Sequence, residues 1–340
     1  MNTPPLVQGQ AEACAALADK LTSGDRRALA RAITLVESTR EDDRALADLL
    51  LARVLPSTGK AMRIGLSGTP GVGKSTFIET LGTLLCDAGK RLAVLAVDPS
   101  SPTSGGSLLG DKTRMERLSR HEHAFVRPQP SSGTLGGTAP HTRDAIILCE
   151  AAGFDVVIVE TVGVGQSEHA VADLIDTFVL LVAPGGGDEL QAVKRGVLEL
   201  VDVLVVNKAD GTRIDEARRT REDYQAGSRL FLAKGLTPGS ASAWQVPVLL
   251  ASAKESTGIG EVYHAIESHR RALTEAKALG DKRAAQAERA MWRAVEDELL
   301  RGLRSDTRVL SALPALVSQV RALSLSPSQA ARALVDKSRG

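Results

Sequence analysis

The chain has 340 residues, 42 Lys plus Arg against 41 Asp plus Glu, a net charge of +1 and 43% hydrophobic residues. This length exceeds a single small core, and near-neutrality excludes the broad basic field that sequence-independent nucleic-acid binding requires. Three scattered cysteines (Cys14, Cys86, Cys149), the lack of a leader-like N-terminus and the lack of any apolar run of spanning length point to a cytoplasmic chain with no membrane partner.

Residues 1–58 read as an N-terminal helical segment. In "SGDRRALARAITLVES", Ser23 and Asp25 are candidate caps, and Leu29, Ile33 and Val36 fall on one face. "DDRALADLLLARVL" repeats the pattern. Between residues 59 and 265 the text changes. Six β-branched runs, "RIGLSG", "LAVLAVD", "FDVVIVET", "TFVLLVA", "VLVVNK" and "VPVLLAS", alternate with helical stretches. Nearly continuous apolar strands separated by helices predict an α/β fold with a mostly parallel sheet flanked by helices. His121 and His123 precede a further strand and, with no third ligand nearby, read as surface residues. Residues 266–340 turn helical again, with Met291, Val295, Leu299 and Leu303 spaced by four. That stripe suits either the chain's own core or a dimer arm.

The strand ending at Gly68 runs into "GTPGVGKST", which fits G-x-x-x-x-G-K-S between a strand and a helix. Glycines allow successive backbone N–H groups to point at phosphate oxygens, and the helix that follows adds its positive end. The phosphate-binding set is therefore Gly68, Pro70, Gly71, Val72, Gly73, Lys74, Ser75 and Thr76. Lys74 supplies a cation to the β- and γ-phosphates, and the Ser75 hydroxyl is a Mg²⁺ ligand. Mg²⁺ takes oxygen ligands, so carboxylates at strand ends join the expected metal set: Asp98 after "VLAV" and Glu160 after "VVIV". Asp111 in "LLGDKTRM" reads either as a further ligand or as a helix N-cap.

Downstream, "VVNKAD" places Asn207, Lys208 and Asp210 just past a strand. An aspartate there accepts from the ring N–H and amino group of guanine, a donor pair that adenine lacks. Lys208 lies along the base plane. In "ASAKES" the Ala253 N–H is positioned to meet the guanine carbonyl, with Ser252 and Lys254 in support. The ligand expected is GTP or GDP.

These strings, with "VDPSSPTSGGSLLGDKTRM", "RPQPSSGTLGG", "VIVETVGVGQSE" and "PGGGDELQAVKRG", resemble the family of chaperone GTPases that includes MeaB, ArgK and the methylmalonic aciduria type A protein. The resemblance covers most of the chain. It implies a P-loop GTPase of the SIMIBI class with an N-terminal helical bundle and a C-terminal helical dimerisation arm, acting as a homodimer. It further implies gating of adenosylcobalamin loading onto methylmalonyl-CoA mutase and protection of that mutase, with no cobalamin bound directly by the chaperone. By resemblance, switch I runs from Pro99 to about Arg114, switch II follows Glu160, and switch III spans Gly185 to Gly196, including Lys194.

The position that orients water in Ras-like proteins is Val164 here, which cannot do so; Gln166, two residues on, is the candidate substitute. The catalytic set expected is thus Lys74, Glu160, Gln166 and Lys194. Intrinsic hydrolysis should be slow, in the range of about 10⁻⁴ to 10⁻² s⁻¹ typical of unassisted GTPases, with a partner completing the site. The glycine run before Asp188 reads as a mobile switch or as an ordinary strand–helix connection, and "SSGTLGGT" as the entry to a helix near Pro140 in preference to a second anion cradle. Three rival functions remain: a P-loop kinase passing the γ-phosphate to a small molecule, a metal-insertion GTPase, and a protein-targeting GTPase. The isolated cysteines weigh against the second and the four methionines against the third.

Overall fold

A computed structural model describes residues 8–38, 40–98, 115–130, 138–161, 168–185, 195–231, 233–235 and 243–339. Three helices come first: α1 (Gln8–Thr22), α2 (Arg26–Val36) and α3 (Glu41–Val54). Asp25 caps α2, its carboxylate accepting from the Arg27 and Ala28 amides at 2.7 and 2.9 Å. Those amides have no partner inside the helix, so the cap fixes where it starts. Leu29, Ile33 and Val36 then bury one face.

The strands are β1 (Met62–Gly68), β2 (Leu92–Asp98), β3 (Ala124–Pro130), β4 (Val156–Glu160), β5 (Thr177–Val182) and β6 (Val203–Val206). A small antiparallel pair, β7 (Ala233–Gly235) and β8 (Ala243–Gln245), precedes the last, β9 (Val248–Leu250). Seven strands form one sheet in the order β3-β2-β4-β1-β5-β6-β9, with every neighbouring pair parallel. Strand β3 is the edge that carries Pro128 and Pro130; with a neighbour on one side alone, it loses little when two amides are missing.

Helices between strands cover both faces, which is why β4, β5 and β6 are buried at every position. Alternation sorts the side chains. Ile64, Leu66, Val179, Leu181 and Val205 pack with α4 (Lys74–Asp87) on one face. Phe178, Leu180, Val157, Val159 and Val206 pack on the other, whose core includes residues of α6 (Thr138–Ala151). Between these helices in sequence lies the short α5 (Glu116–Arg120). The N-terminal helices α1–α3 lie against α6 and share its core, so the initial helical segment is packed onto the sheet layer.

After α7 (Glu168–Ala172), α8 (Arg195–Leu198) and α9 (Ile214–Phe231), helix α10 (Ile259–Glu275) buries Ile259, Val262 and Ile266 in the α4-side core. At the amino ends of the strands, charge is buried in pairs. Asp176, before β5, receives Arg283 at 2.7 and 2.8 Å and the Arg63 amide at 2.9 Å. The Arg63 guanidinium in turn grips Glu150 at 2.7 and 3.0 Å. Unpaired, either carboxylate at this depth would cost several kcal/mol.

Contacts divide the chain into Met1–Arg283 and Ala284–Gly340, so the end expected for the GTPase domain at residue 265 falls inside α10. The second unit contains most of α11 (Ala278–Ser305), then α12 (Thr307–Arg321) and α13 (Pro327–Arg339). Asp306 caps α12 and pairs with Arg308; the hydrogen bonds from the Arg308 side chain and amide hold the Asp306 carboxyl down to about 2. Met291, Val295 and Leu299 of α11 and Leu310 and Leu313 of α12 are exposed.

Candidate nucleotide site

The site assembles at the carboxyl ends of β1, β4, β6 and β9, where strand register places Leu66 opposite Glu160 and Val206 opposite Leu250. The phosphate loop leaves β1 at Gly68, with φ +156° and no room for a Cβ, which would lie 2.5 Å from the Leu181 carbonyl. It enters α4 through Gly73, at φ +97°, where a Cβ would press to 2.9 Å on Asn207 Nδ2. Two of the motif's glycines are thus required by close approach as well as by conformation. Val72 is buried under the loop, while Pro70 is exposed.

Lys74 curls back over this loop, its Nζ donating to Gly68 O at 2.8 Å and Thr69 O at 3.2 Å. Burial pulls the Lys74 pKa down, and the Glu160 carboxylate opposes that shift. The ammonium is therefore held at the loop by carbonyls that a phosphate group can replace as partners. Ser75 Oγ donates to Glu160 Oε1 at 3.2 Å, and Glu160 is only 7% exposed.

A half-buried hydroxyl and a buried carboxylate side by side are hard oxygen donors, the chemistry that Mg²⁺ selects. Among the described residues no three His, Cys, Asp or Glu side chains cluster as a metal site. Asp98 is the last residue of β2, paired by backbone with Pro130, and its side chain lies outside the described structure. Asp111, Gln166 and Lys194 also lie outside the described residues.

The half of the cleft expected to take the base is built around Asn207, which is buried and tied in three directions. Its amide donates to Val182 O at 2.9 Å, its Nδ2 donates to Val72 O at 2.9 Å, and its Oδ1 accepts the Ala253 amide at 3.2 Å. One side chain therefore joins the phosphate loop to the "ASAKES" loop. The Ala253 N–H expected to meet guanine is engaged by Asn207, a departure that the residue string alone could not reveal. Lys208 adopts a left-handed φ of +60° and its Nζ donates to Gly71 O at 2.6 Å, laying the alkyl chain along the cleft. Such a conformation in a non-glycine residue is uncommon and clusters at binding sites.

Asp210 is oriented by Ser252, whose Oγ donates to Oδ2 at 2.5 Å while accepting the Glu255 amide at 3.1 Å. The cleft between these loops has a volume of about 220 Å³. Gly73 and Thr76 border its phosphate side; Asn207, Lys208, Asp210 and Lys254 border the rest. Arg213, three residues beyond Asp210, also reaches the cleft and was not singled out from the sequence. Its only signal there was its place in the turn that opens α9.

Gly185, the first residue of the stretch resembling switch III, is tied by its amide to Thr220 Oγ1 on α9 at 3.1 Å. His121 sits 3.4 Å from Asp87, and His123 3.7 Å from Glu122, at a partly exposed edge remote in sequence from the loops above.

A family model described as Methylmalonyl Co-A mutase-associated GTPase MeaB matches residues 29–308. GTPase ArgK of Escherichia coli K12 is 47% identical over 284 residues, 84% of each chain. The mitochondrial methylmalonic aciduria type A homolog of Mus musculus is 45% identical over 325 residues, 93% of this chain and 77% of that one. The crystal structure of a LAO/AO transport system kinase is 36% identical, with a TM-score of 0.73, covering 99% of this chain and all of that one.

Proposed function

We propose a function from a fixed premise: this chain belongs to the MeaB family of methylmalonyl Co-A mutase-associated GTPases. It binds guanine nucleotide and hydrolyses GTP, and by this activity gates adenosylcobalamin loading onto methylmalonyl-CoA mutase and protects that mutase from inactivation. The observation that carries the nucleotide assignment is the single cleft that joins Gly73 and Thr76 of the phosphate loop to Asp210 and Lys208.

In this reading, Lys74 leaves the Gly68 and Thr69 carbonyls for the β- and γ-phosphates, and the loop amides hold the remaining phosphate oxygens. Ser75 and Glu160 would hold a Mg²⁺ ion, with Asp98 and Asp111 as further ligands, and the ion would supply positive charge against that building on the phosphates. Asp210 accepts the two guanine donors, and Lys208 covers the base. Gln166 orients the attacking water, and Lys194 in switch III answers to the mutase. The exposed apolar residues Met291, Val295, Leu299 and Leu310 support a homodimer built through the C-terminal helices. The chain works in the cytoplasm, binds neither membrane nor nucleic acid, and leaves cobalamin with the mutase.

The name of the solved kinase keeps one alternative in view, transfer of the γ-phosphate to a small molecule. Turnover of γ-labelled GTP with and without purified mutase separates the two. The proposal expects label on inorganic phosphate, slow alone and faster with mutase, and it expects Lys194→Ala to lose the acceleration while GDP affinity stays unchanged. Label on an organic acceptor, or acceleration that survives in Lys194→Ala, would count against it.

A further inference from the structure

Thr80 lies one turn along α4 from Thr76, half-buried, and outside the phosphate-binding motif. A threonine inside a helix ordinarily bonds the carbonyl four residues back, and Thr80 Oγ1 does so, 3.0 Å from Thr76 O. The same hydroxyl is closer, at 2.8 Å, to the Ala253 carbonyl, 173 residues away in sequence. Ala253 is thus gripped at both ends, its N–H by Asn207 and its C=O by Thr80.

The chain has no cis peptide bonds among its described residues. In a trans peptide, the carbonyl and the following N–H point in opposite directions within one plane. Fixing the Ala253 carbonyl toward α4 therefore fixes the Lys254 N–H away from it. Ala253 and Lys254 both line the cleft with Asp210. With the Ala253 amide already engaged, the Lys254 amide is the next donor along this loop.

We propose that Thr80 is a specificity-positioning residue: it sets the plane of the Ala253–Lys254 peptide so that the Lys254 N–H reads the C6 carbonyl of guanine. The inference deepens the base-pocket assignment and rests on it. Where Asp210 recognises the donor edge of the base, Thr80 acts on recognition of the acceptor, through a backbone group that no side-chain motif encodes.

The test is calorimetry on the full chain with two ligands, GDP and 6-thioguanosine 5′-diphosphate. The second keeps the ring N–H and amino donors and replaces the carbonyl oxygen by sulfur, a weaker acceptor. Thr80→Val should weaken GDP about fivefold, the factor for one net hydrogen bond, while changing the thio analogue less than twofold. Thr80→Ser, which keeps the hydroxyl, should restore GDP binding. Equal losses for both ligands, or unchanged GDP affinity, would overturn the inference. Asp210→Asn is the control for the pocket itself. It should exchange GDP for xanthosine diphosphate preference, because the amide donates where the carboxylate accepted; no exchange would sink the pocket reading independently of Thr80.

Discussion

Asn207 is the residue on which both halves of the site depend. It makes no use of solvent: at 1% exposure, its side chain serves Val72 O and the Ala253 amide at once. Asn207→Ala removes both bonds and leaves a buried acceptor and a buried donor, each costing about 1–3 kcal/mol where water cannot reach. The nucleotide-bound state uses the loop geometry that those bonds hold, so the loss appears in affinity. GDP binding should fall at least tenfold, measured by fluorescent-nucleotide displacement, and Asn207→Asp should fail to rescue it because the carboxylate cannot donate to Val72 O. An unchanged Kd in Asn207→Ala would show that the two loops are held by other means. Lys208 makes a parallel point. Its positive φ and its bond to Gly71 O were invisible in "VVNKAD", although the string's presence at a strand end marked it as a candidate for the site.

At the scale of elements, α6 illustrates how packing shifts the titration of a charged residue. Asp144 sits on this helix with Arg143 beside it and α3's Asp48 nearby. Burial raises its pKa to about 7, the Arg143 charge opposes that rise, and the Asp48 charge adds to it. The unfolded carboxyl titrates near 4. Since the folded pKa is the higher, the folded state binds the extra proton, and stability is lost as pH climbs from about 4 through about 7. Asp144→Asn cannot ionise, so it should flatten this fall and exceed the natural chain in stability at pH 8. Allowing for partial solvent access, the gain is on the order of 1–2 kcal/mol, with little or none at pH 4. Urea unfolding at the two pH values measures it; a gain that is the same at both would mean that ionisation of Asp144 is not the cause. At the amino ends of the strands, by contrast, Asp176 and Glu150 are buried with guanidinium partners, Arg283 and Arg63 respectively.

Across the whole molecule, the parts legible in the sequence were those with strong local grammar. Continuous apolar runs such as "VVIVE" and "TFVLLV" announced buried parallel strands, and Asp25 announced the start of α2. The phosphate loop, its following helix and the order of the base motifs were equally plain. Edge strand β3 was visible only as a strand following two histidines, because its prolines obscure the pattern. What could not be read was long-range: Thr80 reaching Ala253, Asn207 occupying the amide meant for the base, and Arg213 entering the cleft. Each depends on how the loops after β6 and β9 lie against α4, a property of the assembled sheet with no local signature. The exposed apolar residues of α11 and α12 lie outside what the sheet explains. All of this stands on guanine occupying the cleft beside Asp210. Titration of the natural chain by calorimetry with GDP and with ADP tests that most directly: the account expects GDP to bind at least a hundredfold more tightly, since adenine would leave the Asp210 carboxylate facing no donor pair, and equal or tighter ADP binding would contradict it.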